Sequence, residues 1–376
     1  MAKGYSNSND VLQRTRDGQD LNAIWTQYNA ALDQFNAVRQ PLIDLLSFRV
    51  TDVIEDVVQP GTERFEQASE FGIPKSIRPV PVVQSRAFPF DWYDLRQGYT
   101  FQFLAGNGNT QGATTAQLDA VLQMVMEADN ALQYDLVMKA LFNNANRTTS
   151  ITNVAYDVTA LYNADGKFIP PYNGTSFAGS HQHYIPSGAV LLDSTDLDQL
   201  ATLVTEHGYD RQNGYSIIIL ANKTETDVIK TFRRGVVNNN TQTAVYDFIP
   251  AQGVGFMLPV GWEVASGSQP ANTFANMNVV GNYGPYLIVE NNQIPSGYMV
   301  AAASAGRSSS LNIVGIREHS EASLRGVVLR PGNQQAYPLI DSFFIRGAGS
   351  GVGRRGAAAI MQLTAGSYAV PAAMAW

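Results

Sequence analysis

TTAQLDAVLQMVMEADNALQYDLVMKALFNN, residues 114–144, is the stretch on which the fold turns. Thr114 with Gln117 three positions later forms a capping-box pattern, in which each side chain can satisfy the other's free backbone N–H. Behind it Leu118, Val121, Leu122, Val125, Leu132, Leu136, Val137 and Leu141 recur at helical spacing and make one side apolar, until Asn143-Asn144 closes the run. At about 1.5 Å per residue the helix is roughly 45 Å long, against about three turns for an average one. A coiled-coil register is not held for enough heptads to compete. The segment reads as a spine against which other elements are laid.

Upstream, Asp20 is placed to cap a helix whose apolar face is Leu21, Ile24, Trp25, Tyr28, Leu32, Phe35 and Val38. Pro41 interrupts it, and PLIDLLSF can restart with the proline in the first turn, where its missing N–H costs nothing. From Arg49 to Phe90 periodicity dissolves into RVTDVIEDVV, a polar stretch, and the proline-studded IPKSIRPVPVV. About 40 residues without a core of their own are unusual inside a compact domain. The segment is therefore predicted to be an extended arm or hairpin lying on something else, a disordered insert being the alternative.

Downstream, residues 150–190 are rich in Tyr, Asn, Gly and Pro and read as loops and short strands. Thr195 with Asp198 opens a second helix, with Leu197, Leu200, Leu203 and Val204 inward and Gly208 as its stop after His207. YSIIIL (215–220) is wholly apolar, as a strand buried on both faces must be, and TETDVIKTFR (224–233) returns to helix. After Gly253 the chain alternates strands and turns: FMLPV, GWEVAS, PYLIVE, YMVAAA, LNIVGIR, GVVLR, PLIDSFFIR and GAAAIMQL. The class is α+β, with a small α/β portion around the apolar strand.

Composition narrows function. The 376 residues hold no cysteine, and 15% are charged, against about 25% in ordinary soluble proteins. A disulfide framework, a Cys-based zinc site and a thiol nucleophile are all excluded. The net charge of −7 argues against a chain that grips nucleic acid by counterion release. MAKGYSNSND lacks the apolar core of a secretory signal, and no run reaches the length of a membrane span, so the expectation is a soluble, cytosolically made chain with no membrane partner. The sequons at Asn146, Asn173, Asn222 and Asn239 are then chance matches. After Lys230 every basic residue is Arg, the cation suited to half-buried bidentate pairing. Few charges and a bias to Arg suggest a surface largely covered by partners.

No catalytic constellation emerges. Gly351-x-Gly353-x-x-Gly356 matches a dinucleotide fingerprint, but it lacks a βαβ unit and a downstream acid, so the glycines are read as a turn between strands. Gly166-Lys167 lacks the rest of a phosphate loop. His181 and His183 flank Gln182, so in a strand both rings would face one way and could ligate a metal with His207 or His319. The blander reading is preferred: HQHYIP is a strand edge with hydrogen-bonded rings, and His207 sits in a last helical turn where positive charge is favoured. Asp193, Asp196 and Asp198 belong to helix capping, and Glu55, Asp56, Glu63, Glu66 and Glu70 to solvated or salt-bridged surface. No metal, cofactor or enzymatic activity is expected.

The order of elements resembles that of the major capsid proteins of tailed bacteriophages, and the local motifs resemble the actinobacterial-phage branch. The blocks that carry this are FEQASEFGIPKS (65–76), QGYTFQFLAGNGNTQ (97–111), EADNALQYDLVMKALFNN (127–144), YNADGKFIPPYNG (162–174), HQHYIPSG (181–188), EHGYD (206–210), GWEVASG (261–267), GYMVAAAS (297–304) and the long C-terminal run from IREHS to MQLT (316–364). Their joint order covers most of the chain from about residue 60 on.

The resemblance implies the tailed-phage major capsid fold: an N-terminal arm at 1–48, an extension loop at 49–90, a peripheral domain at 91–189 holding the spine helix 114–144, an axial domain at 190–315, and closing peripheral strands at 316–376. It implies copies of the chain forming pentamers and hexamers of an icosahedral shell that encloses double-stranded DNA without specific binding. Separate scaffolding, portal and decoration proteins would be its partners, though a scaffold segment removed beforehand would serve equally. Candidate intersubunit contacts are Arg64, Glu66, Lys75, Arg78, Arg346, Arg354 and Arg355, with Arg354-Arg355 expected in intersubunit salt bridges. Lys75 is the sole lysine of the loop and has no identifiable Asn and Glu partners, so isopeptide cross-linking is not expected. A bacterial nanocompartment shell of the same fold is the first alternative. A carbohydrate-active β-rich enzyme or binding module, suggested by the 38 aromatics, is the second.

Overall fold

The computed structural model describes residues 13–38, 40–61, 67–73, 83–106, 112–151, 153–251, 273–274, 277–333 and 340–376. The chain divides into two compact units. One comprises residues 1–40, 89–136 and 317–349, the other 41–88, 137–316 and 350–376. The strands expected at FMLPV and GWEVAS lie outside the described residues.

The first unit is assembled from sequence-distant pieces around one apolar core. The entry helix spans Leu21–Ala37, capped by Asp20, whose carboxylate accepts the N–H groups of Asn22 and Ala23. Its inner face, Leu21, Ile24, Trp25, Tyr28 and Leu32, is buried against Tyr99, Leu104, Leu118, Leu122, Val125, Val327, Leu329 and Phe344. The Trp25 and Tyr99 rings are 4.9 Å apart, and two phenols anchor the long helix: Tyr28 donates to Asp119 at 2.6 Å and Tyr99 to the Leu118 carbonyl at 3.0 Å. A sheet backs this core. Val327–Arg330 pairs antiparallel with Ser342–Val352, which pairs antiparallel with Asp91–Tyr99 on its other edge. Asn36 extends the sheet by side chain, donating to the Val327 carbonyl and accepting its N–H, both at 2.9 Å.

The spine helix runs Thr115–Phe142, within two residues of each predicted end. The Gln117 side-chain oxygen accepts the Thr114 N–H at 3.0 Å, one half of the predicted capping box. Its last residues belong to the second unit, where the Leu141 and Phe142 carbonyls, unpaired at a helix end, accept from the hydroxyls of buried Tyr184 and half-buried Tyr368.

Among the described residues the second unit holds an eight-stranded mixed sheet. Ser216–Ala221, the apolar strand, pairs parallel with Tyr286–Glu290 and antiparallel with Tyr298–Ser304. Ala358–Gln362 lies beside Tyr298–Ser304 and continues in parallel to Tyr184–Pro186. Burial on both sides is nearly complete along the two central strands, which is why their residues are aliphatic without alternation. Helix Ser194–Thr205 begins two residues earlier than the spacing suggested. Asp193 is the N-cap and Asp196 closes the capping box, because a carboxylate at each position reaches a backbone N–H that Thr195 would leave free. The glycine fingerprint falls where Ser342–Val352 turns into Ala358–Gln362, so a strand and not an α-helix follows it directly.

Within 49–90 the described residues form a two-stranded hairpin, Ile54–Val58 against Val83–Ala87, paired Ile54 to Ala87 through Val58 to Val83. One face is buried through Val57 and Ala87, with Phe88 fully buried just after it, while Ile54, Val58 and Val83 are exposed and Phe71 beyond it is 86% exposed.

Candidate functional site

Two kinds of site follow from these elements: surfaces that could meet other chains, and clusters of polar groups that the fold gathers. Four of the seven expected contact residues, Arg64, Glu66, Lys75 and Arg78, lie outside the described residues. The other three are committed within the chain and do not present free guanidinium groups.

Arg355 has 1% of its side chain exposed. Its Nη2 donates to Asp165 Oδ2 at 2.8 Å, to Asn163 Oδ1 at 2.9 Å and to the Leu161 carbonyl at 3.1 Å, while Nε donates to the Ala160 carbonyl at 2.8 Å. One guanidinium thus closes the loop that carries 160–165. Burial pushes the Asp165 carboxyl up, but hydrogen bonds from Arg355 and Asn146 outweigh it and hold the group below the usual carboxylate range. Arg354 is buried as well. Its Nη1 donates to the Ser310 carbonyl at 2.6 Å and the Asn312 carbonyl at 3.1 Å, so it ties a turn through backbone oxygens. Arg346, in the first unit, donates to Asp129 at 2.8 Å and lies 3.6 Å from Glu318, all three side chains being buried. Burial pushes the Asp129 carboxyl above its usual range despite Arg346 beside it. The Arg bias read from composition as surface pairing between copies is, at these three positions, internal pairing. The bidentate fork that suits an interface suits a buried turn equally.

Exposed apolar residues mark other surfaces. The hairpin carries Ile54, Val58 and Val83, with Phe71 and Ile73 beyond it, and residues Val190, Leu191, Val236, Val237, Val245 and Ile249 are exposed on the second unit. Large apolar groups left in water in such number point to contact with other chains. Trp92 and Phe343 do the same on the first unit.

The HQHYIP segment does lead into an edge strand with hydrogen-bonded rings, as expected, but the histidines are also gathered in a way the spacing did not show. His319 packs in the first unit against Phe90 and Trp92. His181, His183 and His207 converge in the second. Their Nε2 atoms meet, His181 to His183 at 3.1 Å and His181 to His207 at 3.0 Å, with Glu206 Oε1 3.2 Å from His181. Tyr184–Pro186 pairing with Ala358–Gln362 brings the first two rings in, and the end of helix Ser194–Thr205 brings Glu206 and His207. His183 is fully buried and its Nδ1 lies 2.6 Å from the Ala358 carbonyl. Burial pushes His183 down to about 3 and His207 to about 2, so both rings are neutral at ordinary pH. The favourable last-turn charge expected at His207 is therefore not realised, since desolvation outweighs the partial charge of a helix end. Glu206 gave no signal of its own in the sequence; the spacing Glu206-His207 hides which of the two faces inward.

Solved structures place the chain. One from Mycobacterium phage Patience is 39% identical, covers 100% of this chain and 97% of its own, and superposes with a TM-score of 0.71. The capsid of a native GTA particle is 9% identical over 87% of this chain and 92% of that one, and a satellite phage P4 procapsid 11% identical over 90% and 98%, each with a TM-score of 0.41. No protein-family model matches the chain, nor does any curated protein. No helix among the described residues is long and apolar enough to cross a membrane. The weight rests on the whole-length identity to the Patience chain, and by it this chain belongs to the major capsid proteins of tailed bacteriophages, in the actinobacterial-phage branch, as a structural subunit of an icosahedral shell and a component of the virion.

Proposed function

We propose that copies of this chain assemble as pentamers and hexamers into a shell around a double-stranded DNA genome, inside the host cytoplasm, with scaffolding, portal and decoration proteins supplied separately. The observation that carries the reading is 39% identity along the entire chain to a phage protein. In this reading residues 49–90 are an extension loop laid on a neighbouring copy. Its exposed Ile54, Val58, Val83, Phe71 and Ile73 support this, because each would be buried by such a contact. Several overlapping interfaces of modest strength then sum by avidity. Residues 1–48 and 49–90 are the places where pentamer and hexamer environments would differ, while 190–315 surround the centre of each capsomer and 316–376 close the peripheral domain.

The role is structural and not catalytic, and the net charge of −7 suits a wall that must let DNA slide past during filling. Electron microscopy of the expressed chain, alone and with candidate scaffold, tests this: closed shells that are empty or filled with nucleic acid are expected. Shells that purify with a protein cargo would indicate a nanocompartment. A monomer that melts at a saccharide-dependent temperature would overturn the proposal.

A further inference from the structure

The convergence of His181, His183, His207 and Glu206 is more than protons can satisfy. His183 Nδ1 faces the Ala358 carbonyl at 2.6 Å, which requires the hydrogen on Nδ1 and leaves a bare lone pair at Nε2. The contact from His181 Nε2 to His183 Nε2 at 3.1 Å then uses the one proton His181 Nε2 can carry. Yet the same nitrogen is 3.0 Å from His207 Nε2 and 3.2 Å from Glu206 Oε1. With its proton spent, it has no lone pair to offer a proton on His207 and no hydrogen for Glu206. Glu206 Oε1 is buried without a hydrogen-bond donor. One nitrogen thus sits at the common corner of three close contacts, with a single hydrogen among them.

A cation resolves all of them. We propose that His181 Nε2, His183 Nε2, His207 Nε2 and a Glu206 carboxylate oxygen form a zinc site. The four donor atoms lie within 4.8 Å of one another, and metal–nitrogen bonds of about 2.0–2.1 Å in a tetrahedron place donors roughly 3.3–3.4 Å apart. The three contacts of 3.0, 3.1 and 3.2 Å are slightly inside that value, 3.9 Å between His207 and Glu206 is outside it, and the widest separation, up to 4.8 Å, requires the donors to close on the ion. Three imidazoles and a carboxylate select zinc among common divalent ions, since magnesium and calcium prefer all-oxygen shells. The Ala358 carbonyl fixes the His183 tautomer, the supporting contact that metal-bound histidines need. Phe177 lies 4.1 Å from the His207 ring, and a Cβ on Gly356 would come within 3.0 Å of His207 and of Tyr162, so the rings are held in place by packing.

All four protein donors are present, so no coordination position remains for a substrate, and the ion is structural. It ties the strand-leading segment 181–183 to the end of helix Ser194–Thr205 within one unit. In a chain without cysteine it supplies a staple that needs no thiol. The site is independent of the shell reading, since it would form in a monomer.

The test uses the full chain, purified from zinc-supplemented culture without chelator. Elemental analysis is expected to give about one zinc per chain. A strong chelator should lower the melting temperature by several degrees and added zinc should restore it, and cobalt loading should give the visible absorption of a tetrahedral site. Glu206→Gln and His181→Gln, the two less buried ligands, should fold, melt like the chelated parent, and bind zinc at least tenfold more weakly. A parent chain with less than about a tenth of a zinc, and no melting response to added zinc, overturns the proposal. So does equal zinc content in the parent and both variants.

Discussion

Arg355 Nη2 lies 2.8 Å from Asp165 Oδ2 with 1% of the arginine side chain exposed, and this pair gives the second unit one acid-sensitive and mutation-sensitive contact. Removing Asp165 leaves a buried guanidinium with only neutral partners. Asp165→Ala should destabilise the chain by about 3–5 kcal/mol, read by urea melts at pH 7. The folded carboxyl titrates below its ordinary 3.8, so its stabilisation is fully present above that value and disappears as pH falls through the lower folded one. The variant should lack this acid-labile component. Arg354→Glu with Arg355→Glu should leave no soluble folded chain; a soluble, folded monomer would return both residues to an intersubunit role.

Asp196 behaves in the opposite sense. Burial pushes its carboxyl from 3.8 up to about 6. Its contribution is complete below 3.8 and is lost as pH rises through about 6, because the folded state holds the proton more tightly than the unfolded chain. Asp196→Asn keeps an oxygen to accept the Asp193 N–H, 2.9 Å away in the parent. It should flatten the stability profile between pH 4 and pH 7, and at pH 7 be no less stable than the parent. A loss above about 1 kcal/mol there would contradict this.

Gly315 sits over a closed ring. A Cβ at that position would meet Phe88 Cε1 at 2.3 Å, and Phe88 is fully buried with Phe48 packed edge-on at 5.9 Å. Gly315→Ala should cost about 1–3 kcal/mol, the usual range for overpacking, measured by thermal unfolding. Phe88→Leu in the same chain should recover part of it by making room.

The hairpin supplies the assembly test. Ile54→Asp with Val58→Asp changes two exposed side chains, so unfolding of the isolated chain should move by less than about 0.5 kcal/mol. Closed shells should be lost or reduced at least tenfold by sedimentation. Normal shell yield would remove 49–90 from the interface.

Much of this molecule is legible in its residues. The spine helix, the entry helix with its Asp20 cap and the apolar strand Ser216–Ala221 each announce themselves through spacing, because helix and strand impose different periods on the side chains that must be buried. Across 49–90 the absence of periodicity matched a hairpin in the described residues, but it did not show that Val50, Val57, Ala87 and Phe88 would be buried. The family too could be read in the order of short motifs, none of which is telling alone.

What residues in a line could not reveal is which polar groups the fold would gather. Arg355 and Asp165 are far apart in sequence, and nothing local distinguishes an arginine that faces solvent or a neighbour from one that closes a buried loop. His181, His183 and His207 were visible as a pattern, but their convergence depends on the pairing of Tyr184–Pro186 with Ala358–Gln362 and on where helix Ser194–Thr205 ends. The sequence by itself determined the elements, through local spacing and capping. Only the tertiary structure decided the chemistry between them, since burial and distance set whether a charge is paired, neutralised or ready for a metal.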